Sequence, residues 1–332
     1  MLIWAVDPLT PDSTLIARAA AALRDGRLVA FPTETVYGLG ACASSASAVR
    51  AVFEAKGRPP THPLIVHVLD AAMAEAVATR AMPATARALC AAFWPGPLTV
   101  VVPRAARLPA DVCGGGDTVG VRAPSHPVAR ALIAALGDGI AAPSANRYQR
   151  VSATRAEHVS AGFTDAHEAA IFALLDAGPA HEGIESTVVD CTGDVPAVLR
   201  LGALPVAALR AVVPTLVVRA HEVAAEGALH VSPGMAAAHY QPSARVVIVP
   251  ASRLGEYMYD ARNAVLVMSD VTHAGAAAHV RPMPRDARAY AHELYAALHE
   301  IDALGAACVV VEEPPQGDAW DAIHDRLRRA SS

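Results

Sequence analysis

The sequence predicts an α/β fold in two units, and three observations carry that prediction. Short apolar runs alternate with helical patterns along most of the chain, as expected of sheets covered by helices. The chain has 332 residues, too many for one typical core and about right for two domains. The alternation also breaks over residues 213–242 and then restarts. This divides the chain into a unit at 1–212, a linker at 213–242, rich in proline and glycine punctuators at its end, and a smaller unit at 243–332.

The elements follow in order. Residues 11–25 (PDSTLIARAAAALRD) read as a helix, capped by Asp12 or Ser13 and stopped at Gly26. RLVAFPT (27–33) reads as a strand, 46–56 as a helix ending at Gly57, PLIVHVL (63–69) as a strand and 83–94 as a helix. LTVVVP (98–103) and TVGVRAP (118–124) are strands. A helix at 126–136 leads into GIAAPSAN (139–146), a strand running out into a loop. IFALLD (171–176), STVVDCT (186–192) and AVLRLG (197–202) are further strands, and Pro205 opens a helix reaching about residue 212. Beyond the linker, RVVIVP (245–250), AVLVMSD (264–270) and ACVVVEEP (307–314) are strands, with helices at 284–303 and in the tail WDAIHDRLRRA. That pattern suits a small α/β unit with a parallel sheet.

Composition narrows the function. The chain is 53% hydrophobic and 18% charged, with a net charge of −5. The charge argues against a general nucleic-acid binder but allows a local basic pocket. Cys42, Cys90, Cys113, Cys191 and Cys308 form no C-x-x-C pair, which argues against a zinc site or a disulfide framework and for a reducing compartment. The N-terminal stretch lacks a basic n-region, and no apolar run reaches membrane-spanning length, so a cytoplasmic protein with no membrane association is expected.

Several stretches could carry chemistry. FPTETVYGLG (31–40) sets hydroxyls around Glu34, and its glycines admit close backbone approach, but it lacks the P-loop pattern. EAKGRPPTHPLIVH (54–67) places Lys56 and Arg58 at a helix end, either as a solvated cap or as a phosphate grip. His67 in the following strand could be core, surface or ligand. Arg122 lies inside an apolar strand after three glycines and needs a partner, either a bound anion or an acidic side chain. Ser144 and Asn146 follow a strand end, where ligands sit in open α/β sheets, although both are ordinary turn residues too. Ser186 and Arg200 belong to a strand start and the next strand, and HYQP (239–242) closes the linker. Together these residues suit an enzyme that binds a nucleotide and a small carboxylate.

FPTETVYGLG, AKGRP with HPLIVH, WPGPLT, DTVGVRAPSHP, PSAN and ESTVVD resemble, in that order, the YrdC-type domain of the threonylcarbamoyl-AMP synthase family. The linker SPGMAAAHYQP and the trailing unit look like the family's two-domain form. The resemblance implies a twisted open mixed sheet with helices around a concave site, plus a smaller Rossmann-like α/β domain. It implies a nucleotidyltransferase that makes L-threonylcarbamoyladenylate and pyrophosphate from L-threonine, bicarbonate or CO2, and ATP with Mg2+. The product would pass to a tRNA threonylcarbamoyltransferase complex that modifies tRNAs reading codons starting with A. Carried onto this chain, the resemblance puts threonine against Thr35, His67, Arg122, Ser186 and the backbone around Ala142. It puts ATP against Lys56, Arg58, His62, Thr118, Ser144, Asn146, Ser152, Arg200 and Tyr240, with Lys56 and Arg58 as the catalytic cations and Tyr240 on a lid. Position 62 is often asparagine in relatives. The alternative is an RNA-binding or regulatory protein of the same fold without synthase activity; the acidic balance and the lack of aromatic–basic interleaving speak against it.

Overall fold

A computed structural model of the chain describes residues 1–164, 170–220, 240–270 and 278–331. Among these residues the N-terminal unit builds a sheet from β1 (Leu2–Ala5), β2 (Leu28–Phe31), β3 (Gly38–Cys42), β4 (Ile65–His67), β5 (Leu98–Pro103), β6 (Thr118–Arg122), β7 (Ile140–Ala142), β8 (Ile171–Asp176), β9 (Thr187–Asp190), β10 (Ala197–Arg200) and β11 (Val217–Val218). Their spatial order is β1-β8-β2-β3-β7-β4-β6-β5-β9-β10-β11. Parallel pairs such as β4 with β6 adjoin antiparallel ones such as β3 with β7, so the sheet is mixed as expected. The C-terminal unit holds β12 (Arg245–Val249), β13 (Asn263–Val267), β14 (His279–Pro282) and β15 (Cys308–Glu312), in the order β12-β15-β13-β14 with every pairing parallel.

Local chemistry explains these elements. β2, β3 and β4 are buried along their whole length, so they read as continuous apolar or small-residue runs rather than as alternation. The helix Ser13–Arg24 starts where the Asp12 carboxylate accepts the N–H groups of Thr14 and Leu15. The helix Ala46–Lys56 ends at Gly57, whose left-handed φ of 65° lets Gly57 N–H and Arg58 N–H return to Glu54 O and Phe53 O. That cap delivers Lys56 and Arg58 to the same end of the sheet. β3 went unread in the sequence because GLGAC has weak strand propensity. Its glycines are there for contact: a Cβ on Gly40 would stand 2.8 Å from Ile140 and from the Phe31 ring. β1, β14 and the short helices Ala71–Val77 and Ala156–Gly162 were also unread.

Residues 221–239, most of the expected linker, lie outside the described residues. At its near end β11 pairs with β10 in the large sheet. At its far end Gln241 N–H donates to Gln149 O at 2.8 Å, beside a parallel bridge between Arg150 and Gln241. Tyr240 and Gln149 both have a left-handed backbone, with φ of 64° and 66°.

The two units meet along the segment 183–186. Gly183 has φ 74°, and a Cβ there would lie 2.4 Å from the backbone of His292 on the helix Ala287–Leu304. Gly183→Ala therefore adds a backbone clash to roughly 1–2 kcal/mol of left-handed strain. A thermal melt should fall by at least about 3 °C. An unchanged melt would mean that this contact does not hold the units together.

Candidate active site

A cavity of about 50 Å³ opens on the face of the large sheet, walled by Thr35, Arg58, Ile65, His67, Arg122, Ala142, Ser144, Glu185, Ser186, Arg200 and Tyr240 among others. His67, Arg122, Ala142 and Arg200 are the last residues of β4, β6, β7 and β10, and Ser144 follows β7, so the wall draws on strand ends. β4 and β6 are parallel and set His67 against Arg122 in register, whereas β7 runs the other way and sets Ala142 against Ile65. Residues from opposite strand ends therefore meet across one face.

Arg122 has an acidic partner from its own chain. Its Nη2 stands 2.7 Å from Glu34 Oε1, with side chains only 4% and 8% exposed, and its Nη1 donates to Thr35 Oγ1 at 2.8 Å. Its buried Nε has no hydrogen-bond partner among the described residues. A buried donor without an acceptor, on a side chain in the cavity wall, is a place for an anion. His67 Nδ1 lies 3.3 Å from Ile140 O. Burial, reinforced by the charge of Arg122, pushes its pKa down to about 3, so the ring is neutral at physiological pH. With Nδ1–H donated to Ile140 O, Nε2 remains an acceptor.

On the opposite wall, Arg200 Nη2 donates to Ser186 Oγ at 3.0 Å, and its Nε and Nη2 both reach Ser186 O. Ser186 Oγ also pairs with Thr99 Oγ1 at 2.8 Å. Arg58 is buried and donates to the carbonyls of His62 and Pro63; burial lowers its pKa to about 10, which leaves it charged. Lys56 Nζ donates to the carbonyls of Ser144 and Asn146. Its pKa is held well below the ordinary value, by burial first and then by Arg58 and Arg147.

The other sequence-predicted residues stand beside this wall. Lys56 and Asn146 line an adjoining cleft of about 690 Å³ together with Arg147, Arg150 and His299. Asn146 Nδ2 spans the carbonyls of Arg147 and Arg150, shaping the loop, and its buried Oδ1 has no partner among the described residues. Ser152 sits behind Glu185 and donates its hydroxyl to Glu185 Oε1 at 2.6 Å. The His62 ring packs edge-on against Tyr148. Thr118 heads β6 at the end away from Arg122, and like His62 it lines neither space. Sequence reasoning gave no role to Glu34, Thr99 or Glu185. The signal for the two acids was present, since buried arginines demand counter-charges. Among the described residues there is no group of three His, Cys, Asp or Glu side chains able to hold a metal, and no helix is long and apolar enough to cross a membrane.

Comparisons with known proteins agree with this architecture. A family model described as "Telomere recombination" matches residues 21–202, and one described as "Threonylcarbamoyl-AMP synthase, C-terminal domain" matches residues 204–332. The threonylcarbamoyl-AMP synthase of Bacillus subtilis is 38% identical over 335 residues, covering 98% of this chain and 95% of that protein. The crystal structure of Pyrococcus abyssi Sua5 complexed with L-threonine superposes with a TM-score of 0.90 at 34% identity, covering 100% of this chain and 98% of that one. Escherichia coli YciO, at 23% identity and a TM-score of 0.55 over 63% of this chain, shares the fold.

Proposed function

Since the chain belongs to the threonylcarbamoyl-AMP synthase family, we propose that it joins L-threonine, CO2 from bicarbonate, and ATP into L-threonylcarbamoyladenylate, releasing pyrophosphate. One observation carries the residue-level reading: three buried arginines, Arg58, Arg122 and Arg200, converge on one cavity beside hydroxyls and a neutral histidine. The threonine carboxylate docks on Arg122, whose guanidinium Glu34 already orients. Thr35, His67, Ser186 and the backbone at Ala142 surround the rest of the amino acid. The phosphates face Arg58, Ser144 and Arg200, with Lys56 and Asn146 at the mouth of the adjoining cleft. His62, Thr118, Ser152 and Tyr240 belong to the nucleotide side, Ser152 acting through Glu185.

The threonine nitrogen attacks CO2 and loses a proton to solvent, giving a carbamate. A carbamate oxygen then attacks the α-phosphorus, and the bond to the bridging oxygen breaks to release pyrophosphate. No protein nucleophile is required. The cations supply charge stabilisation and the pocket supplies alignment. The donor set here does not suit a resident metal, because Glu34 and Glu185 are engaged by arginines. Mg2+ enters with ATP as part of the substrate. Tyr240 closes one side of the cavity, which keeps water from the labile carbamate and anhydride. The product passes to a tRNA threonylcarbamoyltransferase complex in the cytoplasm.

The test is pyrophosphate release from ATP and bicarbonate, with and without L-threonine. Threonine-dependent release is expected, and release that ignores threonine would end the assignment. His67 adds a second expectation. Because its pKa lies near 3, it should add no step to the pH dependence of threonine affinity between about pH 5 and 8, where an ordinary histidine would titrate. His67→Phe should weaken threonine binding on the order of tenfold through the lost acceptor. A step near pH 6.5 that vanishes in His67→Phe would show that the ring titrates normally.

A further inference from the structure

The wall of the site contains groups held by the C-terminal unit. Arg326, on the C-terminal helix Asp321–Ala330, is 1% exposed and reaches into the N-terminal unit. Its Nε donates to Glu185 Oε2 at 2.8 Å and its Nη2 to Leu201 O at 2.8 Å, while Nη1 pairs with Asp325. Tyr295, on the helix Ala287–Leu304, donates to the same Glu185 carboxylate, 3.0 Å from Oε2. Tyr240 is gripped by the same two residues: its ring stacks on Tyr295 with centroids 5.6 Å apart, and the Arg326 guanidinium lies 5.0 Å from its centre. Glu185 in turn accepts the Ser152 hydroxyl. Burial raises the Glu185 pKa, but Arg326, Arg200 and the hydrogen bonds outweigh it and bring it down to about 2. The carboxylate is therefore a fixed anion.

A second observation concerns strain. Tyr240 is a non-glycine residue with φ 64°, a conformation that costs roughly 1–2 kcal/mol and persists only where the surroundings over-determine it. The ring stack, the cation above it and the backbone bond from Gln241 N–H to Gln149 O are those surroundings.

We infer that Tyr295 and Arg326 are positioning residues for the nucleotide side of the site, fixing the Glu185 carboxylate and the Tyr240 ring across the junction between the units. The inference rests on the nucleotide reading given above. The direct connections lie on the nucleotide side. They reach Tyr240 directly and Ser152 through Glu185, and Glu185 faces Arg200. Hydrogen bonds from Glu185 or Arg326 do not extend to Thr35, His67 or Arg122 among the described residues. The C-terminal unit thus acts directly on the nucleotide side, and on the amino-acid pocket no more closely than through Arg200 and its bonds to Ser186.

The test uses the full chain with Tyr295→Phe, which deletes one hydroxyl, and Arg326→Lys, which keeps the buried charge but cannot make the same fork. ATP and L-threonine affinities are measured separately by calorimetry, with thermal melts alongside. ATP affinity should fall on the order of tenfold, the factor expected from loosening one charge-assisted hydrogen bond, while threonine affinity stays within about twofold. Equal weakening of both ligands overturns the inference, as does no weakening of either. Loss of the fold in both variants also overturns it, because the pair would then hold the structure rather than the site. A wild type that binds ATP but gives no threonine-dependent pyrophosphate removes the function reading alone; one that binds no ATP removes both.

Discussion

Arg122→Gln should lower kcat/KM for threonine by on the order of a hundred- to a thousandfold. Two charge-assisted hydrogen bonds to a buried carboxylate contribute roughly 3–5 kcal/mol together, and each 1.4 kcal/mol is about a factor of ten. The substitution does a second thing. It strands Glu34, whose carboxylate is buried against Arg122, and an uncompensated buried charge costs about 3–5 kcal/mol of stability. The single variant therefore confounds lost binding with a damaged fold. Arg122→Gln with Glu34→Gln separates them, because it removes both charges and leaves no buried ion unpaired. The double variant should melt close to the wild type and remain as inactive as the single one. If it recovers threonine turnover as well as stability, Arg122 serves the fold and the carboxylate must dock elsewhere. Glu34→Gln alone should leave Arg122 in place but less firmly oriented, weakening threonine binding less than loss of the arginine does.

How far the sequence could go is visible in this pair. Arg122 within an apolar run demanded an anion, and sequence logic offered either a ligand or an acid. The structure supplies Glu34 as partner and still leaves Arg122 Nε without an acceptor. Choosing between the two required the register that sets β4 against β6 and brings the loop after β2 alongside them. The helix end at Gly57 was legible for a local reason: a C-terminal glycine after a periodic run. β3 was not, because its glycines serve close packing against Phe31 and Ile140, which no local propensity records. The same holds for Arg326. Read locally, RLRRA is a basic helix end that suits the macrodipole. Only the packing of the two units turns one of its arginines inward onto Glu185. Glu185 and Arg326 lie 141 residues apart in the chain, and such a pairing leaves no trace in spacing.

Lys56→Met carries the other large effect. Lys56 Nζ is buried and donates to the carbonyls of Ser144 and Asn146, so the cation and the loop carrying Ser144 and Asn146 move together. Methionine keeps the length and removes both the charge and the donors. Loss of one preorganised electrostatic group typically costs about 10²–10³ in kcat, and that is the expected fall in threonine-dependent pyrophosphate release. The lowered pKa gives a signature that a merely structural lysine would lack. Folding depresses the pKa of this cation from 10.5. Between the depressed value and 10.5 the unfolded chain therefore binds more protons than the native one. Stability must rise with pH across that window and be flat below it. The methionine variant loses that rise. Bound polyphosphate favours the charged ammonium and pulls the pKa back up, so ATP binding should take up a proton above the depressed value and weaken as pH increases. Calorimetry in two buffers of different ionisation enthalpy reads that proton directly. The uptake should be present in wild type and absent in Lys56→Met; equal uptake in both would place the titrating group elsewhere and reduce Lys56 to a brace for the loop. That outcome would leave Arg58, whose pKa of about 10 keeps it charged at physiological pH, as the cation that faces the phosphates.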